Sequence, residues 1–342
     1  MPDLLEMTEY SPAWWLPGAH AQTIWGKLFR REPLQPTTFE RWPTPDGDFV
    51  DIHRLKIPSA RFRLLILHGL EGTVRSKYAQ GLLSQARMRG WSADMLIFRS
   101  CGDELNLTRR FYHSGETGDL SMVVARLLDE HPDQSLLLAG VSLGGNVLLK
   151  YLGENAASLP AQIKAAVAVS VPFDLERASR HINRGFARVY QRHFIRSLKK
   201  KTARKVERFP DLIDADRLSS LRTMFDFDDA LTAPVHGFRN ATHYYSSSSS
   251  LQWIDRISIP TLLLSSLDDP FLPPSVLDDV RAIARRNPCL KLEFSPRGGH
   301  VGFVAGRNPL RPQYYAEWRA CEFLAKQTAG DIALPGTDFN RG

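Results

Sequence analysis

Ser142, His300 and the aspartate pair Asp268-Asp269 are the residues of this 342-residue sequence whose types and settings could do nucleophilic chemistry together. A serine hydroxyl attacks a carbonyl when a base takes its proton. Histidine suits that task near neutral pH, and a carboxylate behind the imidazole holds it in the right tautomer. Ser142 lies in Gly140-Val141-Ser142-Leu143-Gly144, after the apolar run Leu136 to Val141 and before a helical stretch from Asn146 to Tyr151. A sharp strand-to-helix turn presents such a hydroxyl at the carboxyl edge of a sheet, and glycines two residues to either side let neighbouring backbone come close. Small residues crowd many such turns for packing alone; here the strand before and the helix after tip the pattern toward catalysis.

Attack on a carbonyl also needs donors for the oxygen that becomes negative. The Leu143 N–H, at a helix N-terminus, is one. After the apolar strand Arg63 to Leu67, the loop His68-Gly69-Leu70-Glu71-Gly72 can aim a second, that of Leu70, at the same point. His300 follows Arg297-Gly298-Gly299 beyond a strand at Leu290 to Phe294, free to reach Ser142. A strand at Leu262 to Ser265 runs into Ser266-Leu267-Asp268-Asp269-Pro270. Asp269 is the choice for the orienting acid because of the turn that follows it, and Asp268 stays open. The aspartate that does not hold His300 suits the cap of a helix starting near Pro274.

The elements that must position these residues alternate along the chain. Strands are expected at Phe39 to Trp42 and Phe49 to Lys56, joined through Pro45-Asp46-Gly47-Asp48, and then at Arg63 to Leu67, Ala93 to Phe98, Leu136 to Val141 and Ala165 to Val171. Helices are expected at Ser76 to Arg89, Gly118 to His131 and Tyr314 to Lys326, and the long loop from Arg99 to Thr117 is expected to wall a pocket. Between Pro172 and Pro260 the strand pattern stops and the chain reads mainly as helix, which places a lid near the serine. The division is an extended N-terminal arm at 1–38, a core at 39–173 and 258–328, a helical lid at 174–257 and a tail at 329–342.

Composition narrows the class. The content is 43% hydrophobic and 24% charged, no run of eighteen apolar residues occurs, and the first eighteen residues carry Asp3, Glu6 and Glu9 without a basic leader. These features point to a cytoplasmic enzyme rather than a secreted or membrane-spanning one. Cys101, Cys289 and Cys321 are too dispersed for a disulfide framework or a metal cluster. No metal or organic cofactor is expected.

Serine, then aspartate, then histidine is the chain order of an α/β-hydrolase. Several further stretches, taken in order, resemble the YheT-like branch of that superfamily: His20-Ala21-Gln22-Thr23, the loop from His68 to Gly72, Phe111-Tyr112-His113-Ser114-Gly115-Glu116-Thr117, Gly140 to Asn146, Phe225-Asp226-Phe227-Asp228-Asp229, Leu267 to Pro270 and Gly298 to Phe303. The branch includes bacterial proteins assigned as carboxylesterases, eukaryotic lipases and alcohol acyltransferases. The resemblance implies an α/β-hydrolase fold, with a mostly parallel central sheet flanked by helices and a helical lid after the sixth strand. It also implies a serine triad acting on esters of short to medium acyl length. The expected reaction is hydrolysis through an acyl-enzyme on Ser142, with His300 as base, Asp269 behind it and the N–H groups of Leu70 and Leu143 as the oxyanion hole. Alternatives are acyl transfer to an alcohol and a lipase acting on phospholipid or acylglycerol; a non-catalytic binding module is disfavoured by the triad.

The net charge is +7, and twelve Lys or Arg residues against one acid, Glu207, fall between Arg177 and Arg208. Arg180, Arg184, Arg188, Arg192 and Arg196 recur every four residues, with Phe186, Tyr190 and Phe194 two positions off, on the opposite face of a helix. The plain reading is an amphipathic lid helix with a solvated face; the sharper one is contact between the Arg180 to Arg196 face and an anionic membrane. Nucleic acid is not expected as a partner, since the aromatics point away from the charges.

Overall fold

The computed structural model describes residues 9–328, so the first eight residues of the expected arm and the expected tail at 329–342 lie outside the described residues. Eight strands form one sheet: β1 (Thr38–Pro43), β2 (Phe49–Leu55), β3 (Phe62–Leu67), β4 (Ser92–Ile97), β5 (Ser135–Val141), β6 (Ile163–Val169), β7 (Thr261–Ser266) and β8 (Leu290–Ser295), in the order β1-β2-β4-β3-β5-β6-β7-β8. β2 runs antiparallel to both β1 and β4, and every pair from β4 to β8 is parallel. β3, β4 and β7 are buried at every residue, and β5 at every residue after Ser135. Mainly apolar runs are what a sheet covered on both faces demands, and the buried Asp94 of β4 is paired with Arg54 and Arg63.

Helix α1 (Ala19–Phe29) precedes the sheet; α2 (Lys77–Met88), α3 (Gly118–Glu130) and α4 (Leu143–Glu154) join successive parallel strands. The chain between β6 and β7 folds as an insert of six helices, α5 (Leu175–Ile182), α6 (Arg188–Val206), α7 (Ala215–Ser220), α8 (Met224–Phe227), α9 (Ala233–Val235) and α10 (Ala241–Ser248), with a π-helical turn at Asp228–Thr232. Two small cores hold the insert, one around Ile195, Leu198, Leu218 and Leu231 and one around Leu175, Ala233 and Tyr244. α11 (Pro274–Ala284) joins β7 to β8, and α12 (Tyr315–Thr328) packs back on α2 and β6.

Three expectations are corrected. The arm is not extended throughout, because α1 occupies eleven of its residues. Thr23, Ile24 and Gly26 weaken its helix propensity. The helix is anchored through tertiary bonds instead: the buried Gln22 accepts from the Val304 N–H at 2.7 Å and donates to the Val304 carbonyl at 3.1 Å. The basic stretch is not one helix, since α5 ends at Ile182 and α6 begins at Arg188, with Gly185 between them at φ +48°. Beyond β8, which was expected to be the last strand, Val304–Ala305 and Gln313–Tyr314 pair as a short antiparallel ribbon.

A close backbone crossing lies where β3 and β5 end. A β-carbon on Gly144 would stand 2.5 Å from the carbonyl oxygens of both Leu67 and His68, and one on Gly140 would stand 2.6 Å from the Gly144 carbonyl oxygen. Backbone cannot rotate away as a side chain can. Gly144→Ala is therefore expected to destabilise the fold by roughly 3 kcal/mol or more, the upper end of overpacking costs. A urea midpoint equal to that of the parent would contradict it.

Candidate active site

The turn between β5 and α4 holds Ser142 at φ 54° and ψ −120°, a conformation that few residues with a β-carbon adopt and that strains the backbone. Its N–H donates to the Val169 carbonyl at 2.8 Å, and its carbonyl accepts the Asn146 N–H at 3.1 Å, the first turn of α4. Strain is therefore held by strand on one side and helix on the other. The loop after β3 presses on this turn, for a β-carbon on Gly69 would lie 3.1 Å from that of Ser142.

His300 brings the serine and the acid together. Its Nε2 lies 2.9 Å from Ser142 Oγ and its Nδ1 lies 2.8 Å from Asp269 Oδ2. A carboxylate only accepts, so Nδ1 carries the proton and Nε2 is left to accept from the serine hydroxyl. Asp269 is buried, and its other oxygen accepts the Phe271 N–H at 2.8 Å. Asp268 faces elsewhere, accepting the Gly299 N–H at 2.9 Å. Neither aspartate caps α11, which has no side-chain cap, so the expected capping role is corrected.

Three successive N–H groups of the histidine loop are each taken by a side chain from a different part of the chain. Gly299 donates to Asp268, His300 to Thr23 Oγ1 at 2.9 Å, and Val301 to Ser170 Oγ at 3.0 Å. Gly299 has φ +62°, and a β-carbon there would meet the Ala19 carbonyl oxygen at 2.4 Å and Thr23 Oγ1 at 2.6 Å. Glycine before His300 is thus what lets α1 lie against the loop. The stretch from His20 to Thr23 was legible only as part of the resemblance; its role here is to seat the histidine.

Leu70 and Leu143 both line the same cavity as Ser142 and His300. Leu143 is the first residue of α4, so its N–H has no intrahelical acceptor. The Leu70 N–H makes no hydrogen bond among the described residues. The loop carrying Leu70 is braced from below by His68, which is fully buried: Nδ1 donates to the Gly69 carbonyl at 2.7 Å and Nε2 accepts the Phe98 N–H at 3.0 Å. Burial pushes the pKa of this imidazole down to about 4, against the Gly69 carbonyl, which favours the charged form.

The next residue, Glu71, ties the loop to the insert. It sits at φ +56°, and its carboxylate accepts from Tyr112 Oη at 2.8 Å, Lys201 Nζ at 2.5 Å and Ser197 Oγ at 2.5 Å, the last two on α6. Burial pushes the carboxyl up, but Lys201 and the hydroxyl donors outweigh it and hold the group below the usual range. Nothing in local sequence pattern marks this pair, whose members are 130 residues apart.

The cavity measures about 770 Å³ and is walled mainly by apolar side chains, within the size range of small-molecule pockets. The insert contributes Leu175, Ile182, Val189, Phe194 and Leu198, and the long loop contributes Phe111 to Ser114, as expected of it. Phe271 stacks on the His300 ring at 4.1 Å between centroids and meets Tyr190 and Phe194 of α6 at 5.1 and 5.9 Å. Asp228, which also lines the cavity, accepts from Tyr245 Oη and Thr232 Oγ1, both at 2.7 Å, and burial pushes its carboxyl up to about 6.

His113, Glu116 and His236 bring ligand-type atoms within 4.8 Å of one another. His113 Nδ1 accepts the Gly115 N–H at 3.1 Å, which leaves the proton on Nε2, the nitrogen facing Glu116 at 3.6 Å. Glu116 already holds Arg110 and the Gly118 N–H. The buried ring nitrogens of His236 make no hydrogen bond among the described residues. The three cysteines are free thiols.

A family model described as the alpha/beta hydrolase fold matches residues 63–306. The YheT protein of Escherichia coli (strain K12) is 38% identical over 92% of this chain and 93% of its own length. Monoacylglycerol lipase of Saccharomyces cerevisiae is 31% identical over 80% of this chain and 61% of its own. Among solved structures, an esterase of Pyrococcus furiosus superposes with a TM-score of 0.54 at 15% identity, covering 85% of this chain and 91% of the other, a likeness of fold.

Two stability tests follow from the braces around Leu70. Neutral His68 contributes stability that is complete above pH 6.5 and is lost as the pH falls through about 4. At about 1.4 kcal/mol per pH unit this is roughly 3 kcal/mol, so denaturant unfolding should weaken across that window and His68→Asn should flatten the slope; an unchanged slope in the variant would sink the assignment. Lys201→Met leaves the buried Glu71 without its cation and is expected to cost roughly 3 kcal/mol, with part recovered in the Glu71→Gln, Lys201→Met double variant. A single variant as stable as the parent would show that the pair contributes nothing.

Proposed function

The chain belongs to the α/β-hydrolase fold family, and from that premise we propose that it is a serine esterase, cleaving carboxylic esters of short to medium acyl length through an acyl-enzyme on Ser142. The observation that carries this reading is the position of the His300 ring, 2.9 Å from Ser142 Oγ on one nitrogen and 2.8 Å from Asp269 on the other. His300 takes the hydroxyl proton as Ser142 Oγ bonds to the ester carbon. Asp269 stabilises the imidazolium, and the N–H groups of Leu70 and Leu143 hold the oxyanion. Collapse breaks the bond to the alcohol, which leaves with the proton from His300. Water, deprotonated by the same nitrogen, then attacks the acyl-enzyme and releases the acid.

Residues 174–257 act as the lid in this reading, since the helices of the insert supply much of the apolar wall against which an acyl chain would lie. That wall also favours a second reading, a lipase, in which the leaving alcohol is glycerol or a glycerolipid. One relative is named for acting on monoacylglycerol, and the YheT relative is named as a candidate esterase.

A fluorophosphonate probe followed by peptide mass spectrometry tests the nucleophile. Labelling is expected on Ser142 alone and is expected to vanish in Ser142→Ala and fall steeply in His300→Ala. For p-nitrophenyl butyrate, kcat should drop on the order of 10⁴-fold or more in Ser142→Ala and by about 10⁴-fold in Asp269→Asn. Asp268→Asn, which keeps the bond behind His300, should lose far less. Labelling elsewhere, or equal losses from the two aspartates, would overturn the assignment. Comparing p-nitrophenyl acetate, octanoate and palmitate with monooleoylglycerol separates the esterase from the lipase.

A further inference from the structure

The insert and α1 meet at the rim of the cavity. His20 packs on Phe186 with ring centroids 4.7 Å apart and lies 3.2 Å from Tyr190 Oη, while Lys27 Nζ and His193 Nε2 are 3.1 Å apart. Ile24, Lys27 and Leu28 of α1 and Val189, Tyr190 and His193 of α6 all line the cavity. Leu28 and Val189 line this space and are also 65% and 49% exposed, so they mark where it opens to solvent. Beside them Phe29 and Phe186 are 59% and 51% exposed. Phe29 packs on Trp25 and Phe186 on His20 and Tyr190, yet each keeps more than half of its surface in solvent, as Leu28 does, and these contacts leave that apolar exposure unexplained.

The charge around this rim has one sign. Arg188, Arg192 and Arg196 each stand one position before a residue of the row Val189, His193 and Ser197, so they run along α6 about a quarter-turn from the side that faces the cavity. Lys200 and Arg204 continue the four-residue spacing and Arg184 precedes it. All six are exposed, and none forms an ion pair among the described residues. The neighbouring cations are accounted for differently. Arg177 and Arg180 pair with acids, Lys199 with carbonyls, and Lys201 and Lys205 turn inward. Solvated surface helices commonly offset such runs with acids at the i+4 position; here the row is left uncompensated next to exposed Leu, Val and Phe.

We propose that this rim is a docking surface for an anionic lipid bilayer, in which the exposed side chains of Leu28, Phe29, Phe186 and Val189 enter the interface while Arg188, Arg192, Arg196 and their neighbours engage the lipid headgroups. Apolar side chains flanked by arginines match the two parts of such a surface, hydrocarbon and phosphate, in one place. Nucleic acid would use the charges but leave aliphatic Leu28 and Val189 in water. Docking here would bring the opening of the cavity against the bilayer, so a lipid ester could pass from one to the other with little exposure to water. No helix among the described residues is long and apolar enough to cross a membrane, so the contact would be peripheral. The inference goes beyond the hydrolase reading and rests on it only for what enters the cavity.

Cosedimentation of the full chain with vesicles of phosphatidylcholine alone, or mixed with phosphatidylglycerol, tests the surface. Binding is expected to be at least about tenfold stronger on the anionic vesicles and to weaken with salt. The triple variant Arg188→Glu, Arg192→Glu, Arg196→Glu should lose that preference, and Phe29→Ser with Phe186→Ser should lower what binding remains. Hydrolysis of p-nitrophenyl butyrate in solution, which needs no bilayer, should be unchanged in both variants and reports that they are folded. Equal binding to both vesicle types, parental binding by the triple variant, or binding to a DNA oligonucleotide in place of vesicles would each overturn the proposal. Vesicle binding without ester hydrolysis by the parent would leave the surface standing and remove the catalytic reading instead.

Discussion

The strained backbone at Ser142 is the constraint to which the surrounding structure is fitted. A residue with a β-carbon at φ 54° and ψ −120° costs on the order of 1–3 kcal/mol, and it persists because neighbours on every side leave it no other course. β5 is buried and bonded to β3 and β6, so the chain enters the turn at a fixed point. α4 leaves it with Asn146 already bonded, and that side chain also holds the Ser114 and Ser248 carbonyls at 2.7 and 2.8 Å. A turn locked at both ends and from the flank can hold a side chain in an unfavourable geometry without relaxing. Gly144 is there because backbone at the end of β3 occupies the space that its β-carbon would need, and Gly140 because the first turn of α4 does.

The histidine reaches the serine by a different strategy. No regular element carries His300. Its loop includes Val301 and Phe303 at φ +58° and +40°, and it is held by side chains bonding its N–H groups one by one. Those side chains come from α1, from the end of β6 and from the turn after β7, so the position of the imidazole reports on the whole sheet edge. A buried hydrogen bond contributes about 1 kcal/mol net, but leaving one unmade costs more. Three bonds to consecutive amides therefore define the loop more than they stabilise the chain.

What was legible in the sequence and what was not follow the same division. Buried parallel strands show as apolar runs, and the serine turn and the Gly298-Gly299-His300 loop follow such runs directly, so the sheet, the elbow and the order of the site residues could be read. Asp268 and Asp269 are adjacent and chemically alike, and only the direction of each side chain separates the one behind His300 from the one holding Gly299. α1 was missed because its stabilising bonds run to Val304, some 280 residues away. The four-residue spacing of arginines continued across Gly185, whereas the helix did not, because charge spacing records exposure and says little about backbone continuity. Phe271 and the Glu71–Lys201 pair left no periodic trace, since each acts through a contact distant in sequence.

Those last contacts change how the insert should be understood. Through Lys201 and Ser197, α6 holds Glu71, the neighbour of Leu70. Through Tyr190 and Phe194, the same helix backs Phe271, whose ring lies on His300. One helix thus touches the support of the proposed oxyanion donor and the support of the proposed base. A cover that only excluded water would need neither contact. If α6 shifts when a substrate enters, the loop of Leu70 and the face of His300 must respond together, because buried ion pairs and stacked rings have few intermediate arrangements. The insert is then a third wall of the site, built from a part of the chain that contributes no residue to the proposed triad.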